Sequence, residues 1–74
     1  MKDTTASDVR ILINGETTTV AEGATLATAL HDHGAPPRGV AVAVDGAVVP
    51  RPAWESTVLS ADSEIEIVIA VQGG

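Results

Sequence analysis

Hydrophobic residues recur at every second position near the start of the chain. Val9, Ile11 and Ile13 fall on one side of that period, with Arg10 and Leu12 on the other, which predicts a strand with one buried face. Asn14-Gly15 follows at once, and both residues tolerate the positive φ that a two-residue hairpin turn demands. Glu16 to Val20, with three threonines and a valine, reads as the returning strand and suits a sheet edge.

The period then changes. Thr25 is placed to cap a helix, its hydroxyl taking a free amide of the first turn. Leu26, Ala27, Ala29 and Leu30 form an apolar stripe at helical spacing. His31 and His33 fall in the last turn, where positive charge suits the helix dipole. Gly34 supplies a stop and Pro36-Pro37 forbids continuation, so a helix of about three turns is expected.

Alternation returns at Val40-Ala41-Val42-Ala43-Val44 and is closed by Asp45-Gly46, a second hairpin signal leading back through Ala47-Val48-Val49. Pro50-Arg51-Pro52-Ala53-Trp54 cannot be a regular strand and is expected to cross the fold irregularly, with room for one helical turn. Thr57-Val58-Leu59 reads as a short edge piece and Ser60 to Ser63 as a turn. The last strand is expected from Glu64 to Val71, with Ile65, Ile67, Ile69 and Val71 on one face.

Hairpin, helix, hairpin, connector and long last strand make an α+β fold with one two-layer core. The arrangement that fits is a β-grasp: a mixed sheet of four to five strands, one main helix on one face, and the first and last strands adjacent and parallel in the middle. Residues 1–8 read as a flexible tail, 9–71 as the domain and 72–74 as a flexible arm.

Composition narrows the function more than the fold. The hydrophobic share is 45%, almost wholly Val, Ile, Leu and Ala, with Trp54 the one aromatic residue. Trp54 is expected to cap the core edge, because a small aliphatic core gains most by burying its one large ring. With no cysteine there is no disulfide, thiolate metal site or thiol nucleophile. A net charge of -6 excludes the cationic footprint of a nucleic-acid binder and disfavours an anionic membrane surface. No apolar run approaches a membrane span and the polar start lacks the apolar core of a signal peptide, so a cytoplasmic location is expected.

Catalytic chemistry finds little support. His31, Asp32 and His33 are the one dense cluster of catalytic residue types, but residues two apart on a helix point to different sides and make a poor metal pair. No serine has a neighbouring base that the pattern identifies, and no Gly-rich run follows a strand as a phosphate cradle requires. The protein is expected not to be an enzyme and to bind no metal or cofactor of its own.

The C-terminal segment Gln72-Gly73-Gly74 remains. Two glycines make the thinnest possible peptide, able to extend into a narrow channel, and a carboxylate at Gly74 would be unhindered. A frayed end and a presented arm both fit that composition. The arm is favoured by its launch from a central strand after the single residue Gln72.

The chain resembles the ThiS family of sulfur carriers in thiamine biosynthesis from Val9 to Gly74. The resemblance is carried by Leu12-Ile13-Asn14-Gly15-Glu16, Val42-Ala43-Val44-Asp45-Gly46, Val48-Val49-Pro50-Arg51 followed by Trp54, and Ala70-Val71-Gln72-Gly73-Gly74. The Val-Pro-Arg-x-x-Trp segment is the more specific element, since Gly-Gly ends are common to ubiquitin-like carriers. The departures are Asp45, where Asn is frequent, and a longer polar lead. The resemblance implies a ubiquitin-like β-grasp whose Gly74 is adenylated by an E1-like (ThiF-like) adenylyltransferase, converted to a thiocarboxylate, and used by thiazole synthase (ThiG-like). Gly73 and Gln72 would be the tail spacer, and ATP and a sulfur donor would be used by the partner enzymes. Rival readings are a carrier of another pathway such as the molybdopterin synthase small subunit, a ubiquitin-like modifier, and a binding module with an inert tail.

With Ile65, Ile67 and Ile69 toward the helix, the open face is expected to carry Leu12, Ala41, Ala43, Val68 and Ala70. These are either ordinary exposed aliphatics or a partner surface. Arg51 is expected to orient toward a partner.

Overall fold

Two tight turns set the architecture. At Asn14-Gly15 the φ angles are 51° and 84°, and at Asp45-Gly46 they are 51° and 86°, the left-handed pair that matches the twist of a two-residue hairpin. The computed structural model describes residues 8–36 and 38–69. Within them the order is β1 (Asp8–Ile13), β2 (Glu16–Ala21), α1 (Leu26–His33), β3 (Val40–Val44), β4 (Ala47–Val48), a 3-10 helix (Arg51–Ser56) and β5 (Glu64–Ile69). The strands form one sheet in the order β2-β1-β5-β3-β4. β1 and β5 run parallel, with Ile13 opposite Ile65, and the other pairs are antiparallel. This is the β-grasp arrangement, with five strands.

Several boundaries differ from the sequence reading. Asp8 is the first residue of β1, opposite Ala21, and so belongs to the sheet rather than the tail. β4 ends at Val48, because Pro50 has no amide to extend the ladder. The connector is the 3-10 helix, with prolines at positions that need no amide donor. Val58 forms an isolated bridge to Thr25 instead of a strand. The last strand is described to Ile69, so the expected strand positions Ala70 and Val71, together with the Gln72 to Gly74 arm, lie outside the described residues, as does the rest of the expected tail.

α1 has eight residues, just over two turns and shorter than expected. Its limits are chemical. Thr25 Oγ1 accepts from the Thr28 amide at 3.3 Å, and Gly34, at φ 87°, donates its amide to the His31 and Leu30 carbonyls. An L side chain at that φ costs about 1 kcal/mol or more, which is why glycine ends the helix there.

The core lies between α1 and the sheet. Ile11, Ile13, Leu26, Val42 and Ile65 are the largest fully buried side chains, and Ala29, Leu30 and Leu59 complete it. Burying each such Ile, Leu or Val side chain contributes roughly 1.5–3 kcal/mol relative to exposure. Ile67 packs at the rim, but Ile69 on the same face is 58% exposed. An eight-residue helix is about 12 Å long and a six-residue strand about 20 Å, so α1 cannot cover the end of β5.

Candidate functional site

β5 is the strand that leads toward Gly74, and it is gripped from both sides. Asn14 and Asp45, the first residues of the two hairpin turns, reach it with their side chains. Asn14 Oδ1 accepts from the Ile67 amide at 2.8 Å and its Nδ2 donates to the Ile67 carbonyl at 3.4 Å. Asp45 Oδ1 accepts from the Glu64 amide at 2.9 Å, and the Asp45 amide donates to the Glu64 carbonyl at 2.7 Å. The parallel ladder adds bonds from Leu12 to Ser63 and from Asn14 to Ile65. The task of the Asp45 side chain here is to accept a hydrogen bond, which a carboxylate does as well as an amide oxygen.

The face away from α1 follows from register. Ala41 lies opposite Val68, Ala43 opposite Glu66, and Leu12 opposite Glu64. Four of the residues named from the sequence, Leu12, Ala41, Ala43 and Val68, therefore share that face, and Val68 is 63% exposed. Ala70 lies outside the described residues. Val48, opposite Ala43 and 75% exposed, extends the apolar patch across β4. The Asp45-Gly46 turn already implied that register, since a two-residue loop sets which positions oppose each other. Glu64 and Glu66 run through the patch, so its apolar surface carries an acidic ridge.

Arg51 is elsewhere. It begins the 3-10 helix beside α1, and with Ala27, Pro52, Trp54 and Glu55 it lines a shallow cleft on the helix side of the sheet. Its guanidinium carbon lies 5.7 Å from the centre of the Trp54 ring, a cation–π arrangement. Arg51 thus braces its own chain and is not gathered with the open-face residues. Trp54 packs against the core, and its Nε1 donates to the Val49 carbonyl at 2.8 Å. The ring caps the core edge, and its polar tip is satisfied by the chain just beyond β4.

Among the described residues, the remaining charged groups define no second centre. His31, Asp32 and His33 are all exposed at the end of α1. Arg10 and Asp62 approach to 4.0 Å with both side chains largely in solvent, where such a pair contributes little. Among the described residues, no helix is long and apolar enough to cross a membrane.

A mixed five-stranded sheet, one helix across a single face and an open apolar–acidic face beside the central strand define a β-grasp domain of the ubiquitin-like class. The chain belongs to the ThiS family, whose model matches residues 7–74. It is similar to the crystal structure of the thiamine biosynthesis protein ThiS from Geobacter metallireducens, with a TM-score of 0.76 and 26% identity over 89% of this chain and 100% of that one. No curated protein matches the chain.

Proposed function

We propose that the protein, as a ThiS-family sulfur carrier of thiamine biosynthesis, carries sulfur on the carboxylate of Gly74 and is the substrate, not the catalyst, of the enzymes it meets. The observation that carries this reading is the family match, which runs through the Gly73-Gly74 end. In the first step a Gly74 carboxylate oxygen attacks the α-phosphorus of ATP on an E1-like (ThiF-like) adenylyltransferase, and pyrophosphate leaves. Sulfide-level sulfur from a donor then attacks the acyl carbon and AMP leaves, giving a thiocarboxylate whose sulfur thiazole synthase (ThiG-like) accepts. ATP and the sulfur donor belong to the partner enzymes, and the setting is the cytoplasm.

The chain's own contribution is mechanical. Gly73 and Gly74 carry no side chains to obstruct a narrow catalytic channel, and Gln72 spaces them from the strand sequence. β5 is a firm base, since Asn14 and Asp45 hold it on either side. The open face, with Leu12, Ala41, Ala43, Val48 and Val68, is the surface an activating enzyme would cover, and Glu64 and Glu66 favour a basic partner.

The test is an intact-mass measurement after incubation with the adenylyltransferase, ATP and a sulfur donor. Replacement of one oxygen by sulfur is expected. An unchanged mass with an enzyme competent on another carrier overturns the reading. Deletion of Gly74 is expected to abolish the change while leaving the unfolding transition in place. Growth rescue that depends on thiamine and not on molybdenum cofactor selects the pathway.

A further inference from the structure

The two edges of the sheet are finished differently. On one side β4 has two residues and runs into Pro50, so it offers almost no ladder to a new strand. On the other, β2 is a six-residue strand, Glu-Thr-Thr-Thr-Val-Ala, in unbroken register with β1. It has no proline, lysine or bulge, the devices by which proteins usually blunt an exposed edge.

Register shows which groups are open. A two-residue turn makes Ile13 and Glu16 a hydrogen-bonded pair, and the pattern alternates from there. Ile11–Thr18 and Val9–Val20 are therefore bonded pairs, while Thr17 and Thr19 direct their amides and carbonyls away from β1. Among the described residues, the hydrogen bonds outside the strand ladders include none to those Thr17 and Thr19 groups.

A groove runs beside this edge. Between β2 and α1 its lining mixes apolar Ile13, Val20 and Ala29 with polar Thr18, Asp32 and His33. A strand laid along β2 would send alternate side chains into it. Charge selects the occupant. Glu16 begins β2, Glu22 directly follows it, and Asp32 stands on the groove rim. A second copy paired antiparallel about Thr19 would bring the Glu16 of each chain beside the Glu22 of the other, and in any register each copy carries a net charge of -6.

We propose that the β2 edge and the adjoining β2–α1 groove form a docking site for an extended segment of another protein, with aliphatic residues at alternate positions and basic residues at its ends. The segment adds as a sixth strand through the main chain of Thr17 and Thr19. Its aliphatic side chains fill the groove and its ends pair with Glu16, Glu22 and Asp32. The site does not rest on sulfur carriage: it uses the β2 edge and the helix side of the sheet, while the open-face patch lies on the other face, across β1, β3, β4 and β5.

The test is titration of the isotope-labelled full chain with the synthetic peptide Lys-Lys-Val-Thr-Val-Thr-Val-Lys, followed by amide chemical shifts. Saturable shifts centred on Thr17 to Val20 and on Ala29 to His33 are expected, with slowed hydrogen exchange at Thr17 and Thr19. The same peptide with its central valine replaced by proline is expected not to bind. Thr19→Pro removes an outward amide and should weaken binding about two- to tenfold, the equivalent of one net hydrogen bond. Thr18→Lys, which keeps the backbone intact and places a cation in the groove, should weaken it similarly. Absence of shifts at millimolar peptide, shifts on the open face instead, or equal binding of the proline peptide overturns the proposal. Concentration-dependent dimerisation through β2 in place of peptide binding overturns it too.

Discussion

The side chain of Asn14 pairs with the main chain of Ile67, accepting from its amide at 2.8 Å and donating to its carbonyl at 3.4 Å. The chain turns away at Asn14, so β1 can offer β5 no further backbone, and the carboxamide supplies a substitute peptide group. The accepting bond is well within hydrogen-bond range and the donating one is long, so the first does most of the holding.

Asn14→Ala is expected to destabilise the protein by about 1–3 kcal/mol, combining the lost bonds with an alanine forced to φ 51°. Asn14→Gly keeps the turn and loses only the bonds, so it should cost less than the alanine variant. Urea unfolding of both separates the two contributions. Equal stability of wild type and Asn14→Gly would show that the carboxamide does not hold β5.

At the opposite side of β5, Asp45→Asn should change stability by no more than about 0.5 kcal/mol, because the amide oxygen can still accept from Glu64. Asp45→Ala removes the acceptor and meets the same positive φ, for a cost of about 1–2 kcal/mol. Thermal unfolding of the pair checks the order.

Trp54→Phe retains most of the apolar ring and loses the bond from Nε1 to the Val49 carbonyl. A loss of about 1–2 kcal/mol is expected, rising to about 3 kcal/mol or more for Trp54→Ala. Arg51→Ala should cost about 0.5–1 kcal/mol, through its contact with the ring. Trp54 is the one tryptophan of the chain, so its fluorescence in the Arg51 variant reports directly on that contact.

On the open face, Val68→Glu is expected to leave stability within about 0.5 kcal/mol, since Val68 is 63% exposed. An enzyme that covers this face would have to bury the new charge, so kcat/KM for adenylation should fall about tenfold or more. Unchanged adenylation kinetics would place the enzyme's contact elsewhere.

The local elements were legible in the sequence because their causes are local. Asn14-Gly15 and Asp45-Gly46 can take positive φ wherever they stand, Thr25 carries its own capping oxygen, and Gly34 ends a helix without outside help. Alternation in Val40 to Val44 and Glu64 to Ile69 likewise names one buried face before any partner strand is known. The order of these elements pointed to four to five strands with the first and last adjacent and parallel; the five-stranded order and the pairing of Ile13 with Ile65 bear that out. The candidate site was legible in part: the alternation names Leu12, Ala41, Ala43 and Val68 as one face, while the chemistry assigned to Gly74 rests on family resemblance.

Only the tertiary structure decided relationships between residues far apart in the chain. Asn14 meets Ile67 across 53 positions, and no periodicity encodes which side chain will replace a missing strand. Ile69 follows the alternation perfectly yet is exposed, because coverage depends on the length and placement of α1. Arg51 sits in a recognisable motif, but its turn to the helix side against Trp54 depends on how the 3-10 helix packs. Sequence determines what each segment can form through its own dihedrals and side chains. Packing determines which faces are covered, because burial is a property of two surfaces and neither segment carries it alone.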